Sequence, residues 1–130
     1  MNTSTIIETL IATLEIKDDI LYLILKKDAN VDLEGVVETV DARKVIQQGK
    51  PMLVLVDNRK VWQVTKEAQA YSYSKEVGEL SLAMAILSGV SLPVMLISNF
   101  FMRFNKNHSP TRIFSDEDKA IEWLNQFKEK

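Results

Sequence analysis

Apolar and polar positions alternate most clearly near the start of the chain. The stretch from Thr5 to Leu14 and the run from Ile20 to Leu25 are rich in Ile, Leu and Thr, with the charged turn Lys17-Asp18-Asp19 between them. Two β-forming runs about a short polar break predict an antiparallel hairpin. In the first run Ile7, Thr9, Ile11 and Thr13 alternate with Glu8, Leu10, Ala12 and Leu14, whereas the second is apolar almost throughout. Alternation suits an edge and a continuous apolar run suits a strand covered on both faces, so the first is expected at the edge and the second in the middle.

Beyond the hairpin the pattern changes to helical spacing. Asp32 is placed to cap a helix whose first turns carry Leu33, Val36, Val37 and Val40 on one side, and Gly49 followed by Pro51 ends it. The run Met52-Leu53-Val54-Leu55-Val56 is uninterrupted up to Asp57, which predicts a strand buried on both faces. Thr65 is expected to cap a second helix through Ala68, Tyr71 and Val77, ending near Gly78. The segment Leu80 to Leu87 fits helix or strand by periodicity. It lies between Gly78 and Gly89, in the slot where an alternating chain needs a strand, and is assigned as one. Ser91 then caps a third helix with Pro93 in its first turn, running to about Lys106. Thr111 to Phe114 form a short strand, and Ser115-Asp116-Glu117-Asp118 open a last helix that buries Ala120, Leu124 and Phe127.

The order is β-β-α-β-α-β-α-β-α, an α/β class with one mixed sheet and helices packed against it through right-handed crossovers. No linker, repeat or second domain interrupts residues 1–130, so they are expected to form a single domain. Composition is that of a globular protein, with 46% apolar and 26% charged residues. Sixteen Lys and Arg against eighteen Asp and Glu leave a formal charge of −2, which argues against nucleic acid as a partner. The chain has no cysteine and a single histidine, which removes disulfides, thiolate chemistry, Cys-ligated metals and a multi-His metal site. No cofactor is expected. The amino terminus lacks a basic, then apolar, signal pattern, and the apolar stretch Leu92 to Phe104 is too short to span a bilayer, so a cytoplasmic protein without a transmembrane segment is expected.

Two local sequences, taken with the element order, carry a resemblance. One is the strand Met52-Leu53-Val54-Leu55-Val56-Asp57 leading into a capped helix. The other is the tail Pro110-Thr111-Arg112-Ile113-Phe114-Ser115-Asp116-Glu117-Asp118-Lys119-Ala120-Ile121-Glu122-Trp123-Leu124. Together they resemble the SpoIIAA-like branch of the STAS superfamily, and the tail is similar to the ending of small bacterial STAS/SEC14-like proteins. The resemblance implies a SpoIIAA-like fold. It also implies, for the anti-sigma-factor antagonists of that superfamily, a phosphorylated Ser or Thr at the start of the second helix. Here the matching stretch Asp57 to Lys66 contains no serine, and its one hydroxyl, Thr65, also suits a helix N-cap.

No catalytic constellation emerges from the residues. Asp18 and Asp19 fit a hairpin turn, and Asp116, Glu117 and Asp118 fit the first turn of a helix whose dipole favours them. Asp57 stands apart because it follows the carboxyl end of a central strand, where open α/β sheets place ligands. Asp57 and Thr65 are therefore the candidate ligand or regulatory residues. His108 lies in a polar loop without a triad partner nearby in sequence.

Folding accounts least well for the third expected helix. Leu92, Leu96, Ile97, Phe100, Phe101, Met102 and Phe104 fall on nearly every side of it at helical spacing. Met95, Phe100, Phe101, Met102 and Phe104 are the candidate interface or ligand patch. Arg103, Lys106 and Arg112 are candidate anion contacts beside it. The expectation is a non-enzymatic, STAS-like interaction or regulatory module that meets a protein partner or self-associates, as a homodimer, through this helix. One alternative is binding or sensing of a small apolar or lipid-like ligand; another is a phospho-regulated anti-sigma-factor antagonist.

Overall fold

The computed structural model describes residues 5–89 and 109–128. Three antiparallel strands open the chain: β1 (Ile6–Glu8), β2 (Ala12–Lys17) and β3 (Ile20–Leu25). The single first strand expected from the alternation is thus two. Thr9 breaks it, because its backbone N–H donates to the Ala12 carbonyl and its Oγ1 accepts from the Ala12 N–H, closing a tight turn that leaves Leu10 exposed. Asp18 and Asp19 then turn β2 into β3 with φ of 52° and 67°. Both angles belong to the left-handed region, where Asp is tolerated and where two-residue hairpin loops match the twist of their strands.

After a two-residue strand β4 (Asn30–Val31), helix α1 (Leu33–Ile46) crosses to β5 (Met52–Asp57). Asp32 caps α1 by accepting from the Gly35 N–H at 2.8 Å. Gly49 ends the following turn at φ 74°, where a Cβ would be strained. The buried face of α1 is Gly35, Val36, Thr39, Val40 and Arg43, whereas Leu33, expected on that stripe, is exposed. Gly35 allows the close approach: a Cβ there would stand 3.0 Å from Ile11 Cγ2.

The next connection contains β6 (Gln63–Val64), α2 (Lys66–Ser72) and α3 (Lys75–Gly78) before β7 (Ser81–Leu87). The expected second helix is broken at Tyr73, where Ser74 recaps the chain by accepting from the Val77 N–H. Finally β8 (Thr111–Phe114) precedes α4 (Glu117–Asn125), whose cap is Asp116. The third expected helix, Ser91 to Lys106, lies outside the described residues.

The main sheet has the order β1-β2-β3-β5-β7-β8, antiparallel through β3 and parallel from β3 to β8. Strands β5 and β7 bury both faces, whereas β3 does so only at its start, since Ile24 is exposed. Leu21, Leu23, Leu25, Val54, Met84 and Ile86 join the core under α1, α2 and α3. Ile20, Leu53, Leu55, Ala83, Ala85 and Leu87 face α4 through Ala120 and Leu124. Ala83 and Ala85 are small, so α4 settles closely on β7 while Trp123 stacks between Phe114 and Phe127 at centroid distances of 5.7 and 4.9 Å. A bulge between Met52 and Leu53 shifts the register with β7 and turns Leu82 outward.

Candidate functional site

The two faces of the sheet are not packed alike. Between α1, α2, α3 and the sheet face formed by Leu23, Leu25, Val56, Met84 and Ile86 lies a cavity of about 220 Å³. Helix α1 contributes Val36, Thr39, Val40 and Arg43; α2 contributes Gln69 and Ser72; Tyr73 and Val77 follow. Val31 and Val64 complete the wall where β4 and β6 pair in parallel, a miniature sheet tied by Gln63 Nε2 donating to Asn30 Oδ1 at 2.9 Å. Burial raises the Tyr73 phenol above its usual range.

Arg43 is the outlier in this apolar wall. It stands on the buried stripe of α1, one turn after Thr39 and one before Gln47, and only 1% of its surface is exposed. Nε donates to Gln47 Oε1 at 2.9 Å, and Nη2 donates to the Leu80 carbonyl at 3.2 Å and to Ser81 Oγ at 3.0 Å. Gln47 is held in turn by Nε2 donating to the carbonyls of Leu80 and Lys50. Every one of these acceptors is neutral. Among the described residues Arg43 has no carboxylate partner, and its Nη1 makes no hydrogen bond. Burial alone pulls the guanidinium down to about 10, which still leaves it a cation at neutral pH.

A second unmet polar group lies at the other end. Asn58 follows β5, lines the cavity, and its buried Oδ1 has no hydrogen-bond partner among the described residues. Its backbone N–H donates to the Leu87 carbonyl at the end of β7, whereas Arg43 bonds to Leu80 and Ser81 at the start. Their partners therefore stand at opposite ends of β7, on the order of 20 Å apart at strand rise. A predominantly apolar path with one free donor and one free acceptor at its ends is a binding geometry.

Residues 14–128 match the model of a domain of unknown function, DUF7793. The chain belongs to that family. This DUF7793 chain is also similar to a crystal structure of an uncharacterised protein of the DUF3478 family, with a SpoIIAA-like fold, from Shewanella loihica PV-4. The TM-score is 0.60 at 18% identity, covering 95% of this chain and 97% of the other. The DUF7793 chain accordingly has the SpoIIAA-like fold that its sequence resembles. No curated protein matches it.

The candidate residues read from the sequence are placed apart from the cavity or outside view. Asp57 lies on the α4 side of the sheet, where Arg59 grips it: Nε donates to Oδ1 at 3.0 Å and Nη2 to Oδ2 at 2.8 Å, while the Arg59 N–H adds a third bond to Oδ1 at 3.1 Å. Hydrogen bonding by that guanidinium holds the Asp57 carboxyl below its ordinary range. Thr65 Oγ1 accepts from the Ala68 N–H at 3.1 Å, so it is the N-cap of α2. Arg112 is exposed on β8 with its guanidinium over the Phe114 ring. Met95, Phe100, Phe101, Met102, Arg103, Phe104, Lys106 and His108 lie outside the described residues.

Sequence reasoning passed over Arg43, Asn58 and the cavity itself. The signal was present for Arg43: Thr39, Arg43 and Gln47 recur every four residues on the same stripe as Val36 and Val40, a polar row where an apolar one is expected. Among the described residues, no helix is long and apolar enough to cross a membrane, and no group of three or more acidic, His or Cys side chains is arranged to hold a metal.

Proposed function

We propose that this DUF7793 domain is a non-enzymatic module that binds or senses a small apolar or lipid-like ligand between α1–α3 and the sheet. The single observation that carries the reading is the cavity of about 220 Å³ walled mainly by Val, Leu, Ile and Met. A well-packed domain of this size leaves few voids larger than a water. Apolar walls without packing partners forgo dispersion contacts. A ligand that fills the cavity recovers that contact energy. Scaled from a cavity of ~150 Å³ that accepts benzene, the space suits roughly nine non-hydrogen atoms. Binding without catalysis is favoured because Asp57, the acid at the end of central strand β5, is engaged by Arg59, and the Thr65 oxygen caps α2.

Thermal denaturation with octan-1-ol tests this. A dose-dependent rise in Tm that is abolished by Val40→Phe, which fills the cavity, supports the reading; no rise, or one unaffected by the filling variant, contradicts it.

Self-association through residues 92–104 is a second reading, favoured by the apolar residues that surround that segment at helical spacing. Size-exclusion chromatography with light scattering on wild type and Phe101→Glu decides it: a dimer split by the substitution supports it, and a monomer indifferent to it removes it.

A further inference from the structure

Resting on the cavity reading above, we infer that the ligand is an amphipathic monocarboxylate, and that Arg43 binds its carboxylate through Nη1. Guanidinium groups carry five N–H donors. Three hydrogen bonds hold Nε and Nη2 to the Gln47 oxygen, the Leu80 carbonyl and the Ser81 hydroxyl, so the fork is fixed in place from behind. Nη1 is left over on a side chain that lines the cavity and is almost wholly buried. Buried charges in proteins are ordinarily paired, because a lone one loses its hydration without recompense. Here every partner among the described residues is neutral, and burial is the one cause that moves the group.

The missing anion therefore belongs to what occupies the cavity. Its charge must be single, since one guanidinium faces it, and its remainder must be apolar to match Val36, Val40, Leu23, Met84 and Ile86. A carboxylate is planar and accepts charge-assisted N–H bonds, the pairing for which arginine is suited.

The test compares octanoate, octan-1-ol and octylamine by isothermal titration calorimetry on the full chain, with Arg43→Met and Arg43→Lys as variants. The expected result is at least tenfold tighter binding of octanoate than of octan-1-ol by wild type. The preference should vanish in Arg43→Met and survive in weakened form in Arg43→Lys. Equal affinity for acid and alcohol, or stronger binding of the amine, overturns the role of Arg43 while leaving an apolar binding cavity. A preference that persists in Arg43→Met overturns it too. If none of the three binds, the cavity reading itself fails and this inference with it. Should Arg43→Met not fold, judged by circular dichroism, the wild-type ratio and Arg43→Lys still decide.

Discussion

Arg43 Nη2 donates to Ser81 Oγ at 3.0 Å, joining the last turns of α1 to the first residue of β7 across the floor of the domain. Among the described residues, the bond is one of three that hold a buried cation by neutral acceptors alone. Removing the acceptor leaves part of that charge unsolvated. Ser81→Ala is expected to lower stability by about 1–3 kcal/mol, the range for leaving a buried polar group without its partner. Urea denaturation checks it. A loss below a few tenths of a kcal/mol would show that the hydroxyl is dispensable to Arg43.

Asn58 gives the opposite expectation. Its Oδ1 is buried without a partner among the described residues, so the carbonyl contributes a desolvation cost. Asn58→Leu is expected to raise stability by about 1 kcal/mol, read from the shift of the urea midpoint. A destabilised variant would mean that the carbonyl is already satisfied.

Helix capping offers a clean comparison with regulation. Thr65 Oγ1 accepts from the Ala68 N–H, so Thr65→Ala is expected to cost about 1 kcal/mol by loss of the cap, while Thr65→Asp, which can cap as well, restores most of it. Octan-1-ol binding should change in neither. If Thr65→Asp alters ligand affinity or oligomeric state without altering stability, the residue is a regulatory position, as the STAS resemblance implies, and more than a cap.

Acid stability should report the Asp57–Arg59 pair. Hydrogen bonding to Arg59 depresses the folded-state carboxyl, so the unfolded chain takes up its proton first as pH falls. The pair therefore contributes stability that is fully present above the ordinary carboxylate range and is lost as pH drops through the lower, folded value. Arg59→Met should be less stable than wild type at pH 7, with the gap closing below about pH 4 as both carboxyls become protonated. A gap that is constant from neutral to acid pH would assign the effect to packing of the Arg59 stem.

How much of this was legible in the chain depends on the distance over which each feature is encoded. The strand Met52 to Val56, the caps Asp32 and Thr65, and the terminal helix rest on local rules and stand where the pattern puts them. The split at Thr9 was hidden because Ile7, Thr9 and Ile11 keep a strand's alternation straight through the turn. The turn exists through a contact between the Thr9 hydroxyl and Ala12, assisted by Thr39 Oγ1 at 3.0 Å from α1. The pairing of β4 with β6 joins residues 30–31 to 63–64, too short a signal for any window. The cavity is a property of how α1–α3 sit on the sheet and has no local pattern at all. Only Arg43, a cation at an apolar position of α1, marked it in advance.

The most direct measurement is a methyl-resolved NMR titration of the full chain with octanoate, following the assigned Val36, Val40, Val56, Met84 and Ile86 methyls together with the Arg43 side-chain Nε–H. The account predicts saturable shifts concentrated on these cavity groups, with the Arg43 signal moving in step and the methyls of Leu53 and Leu55 on the α4 face unmoved. Shifts absent from the cavity methyls, or spread equally over both faces of the sheet, would contradict it.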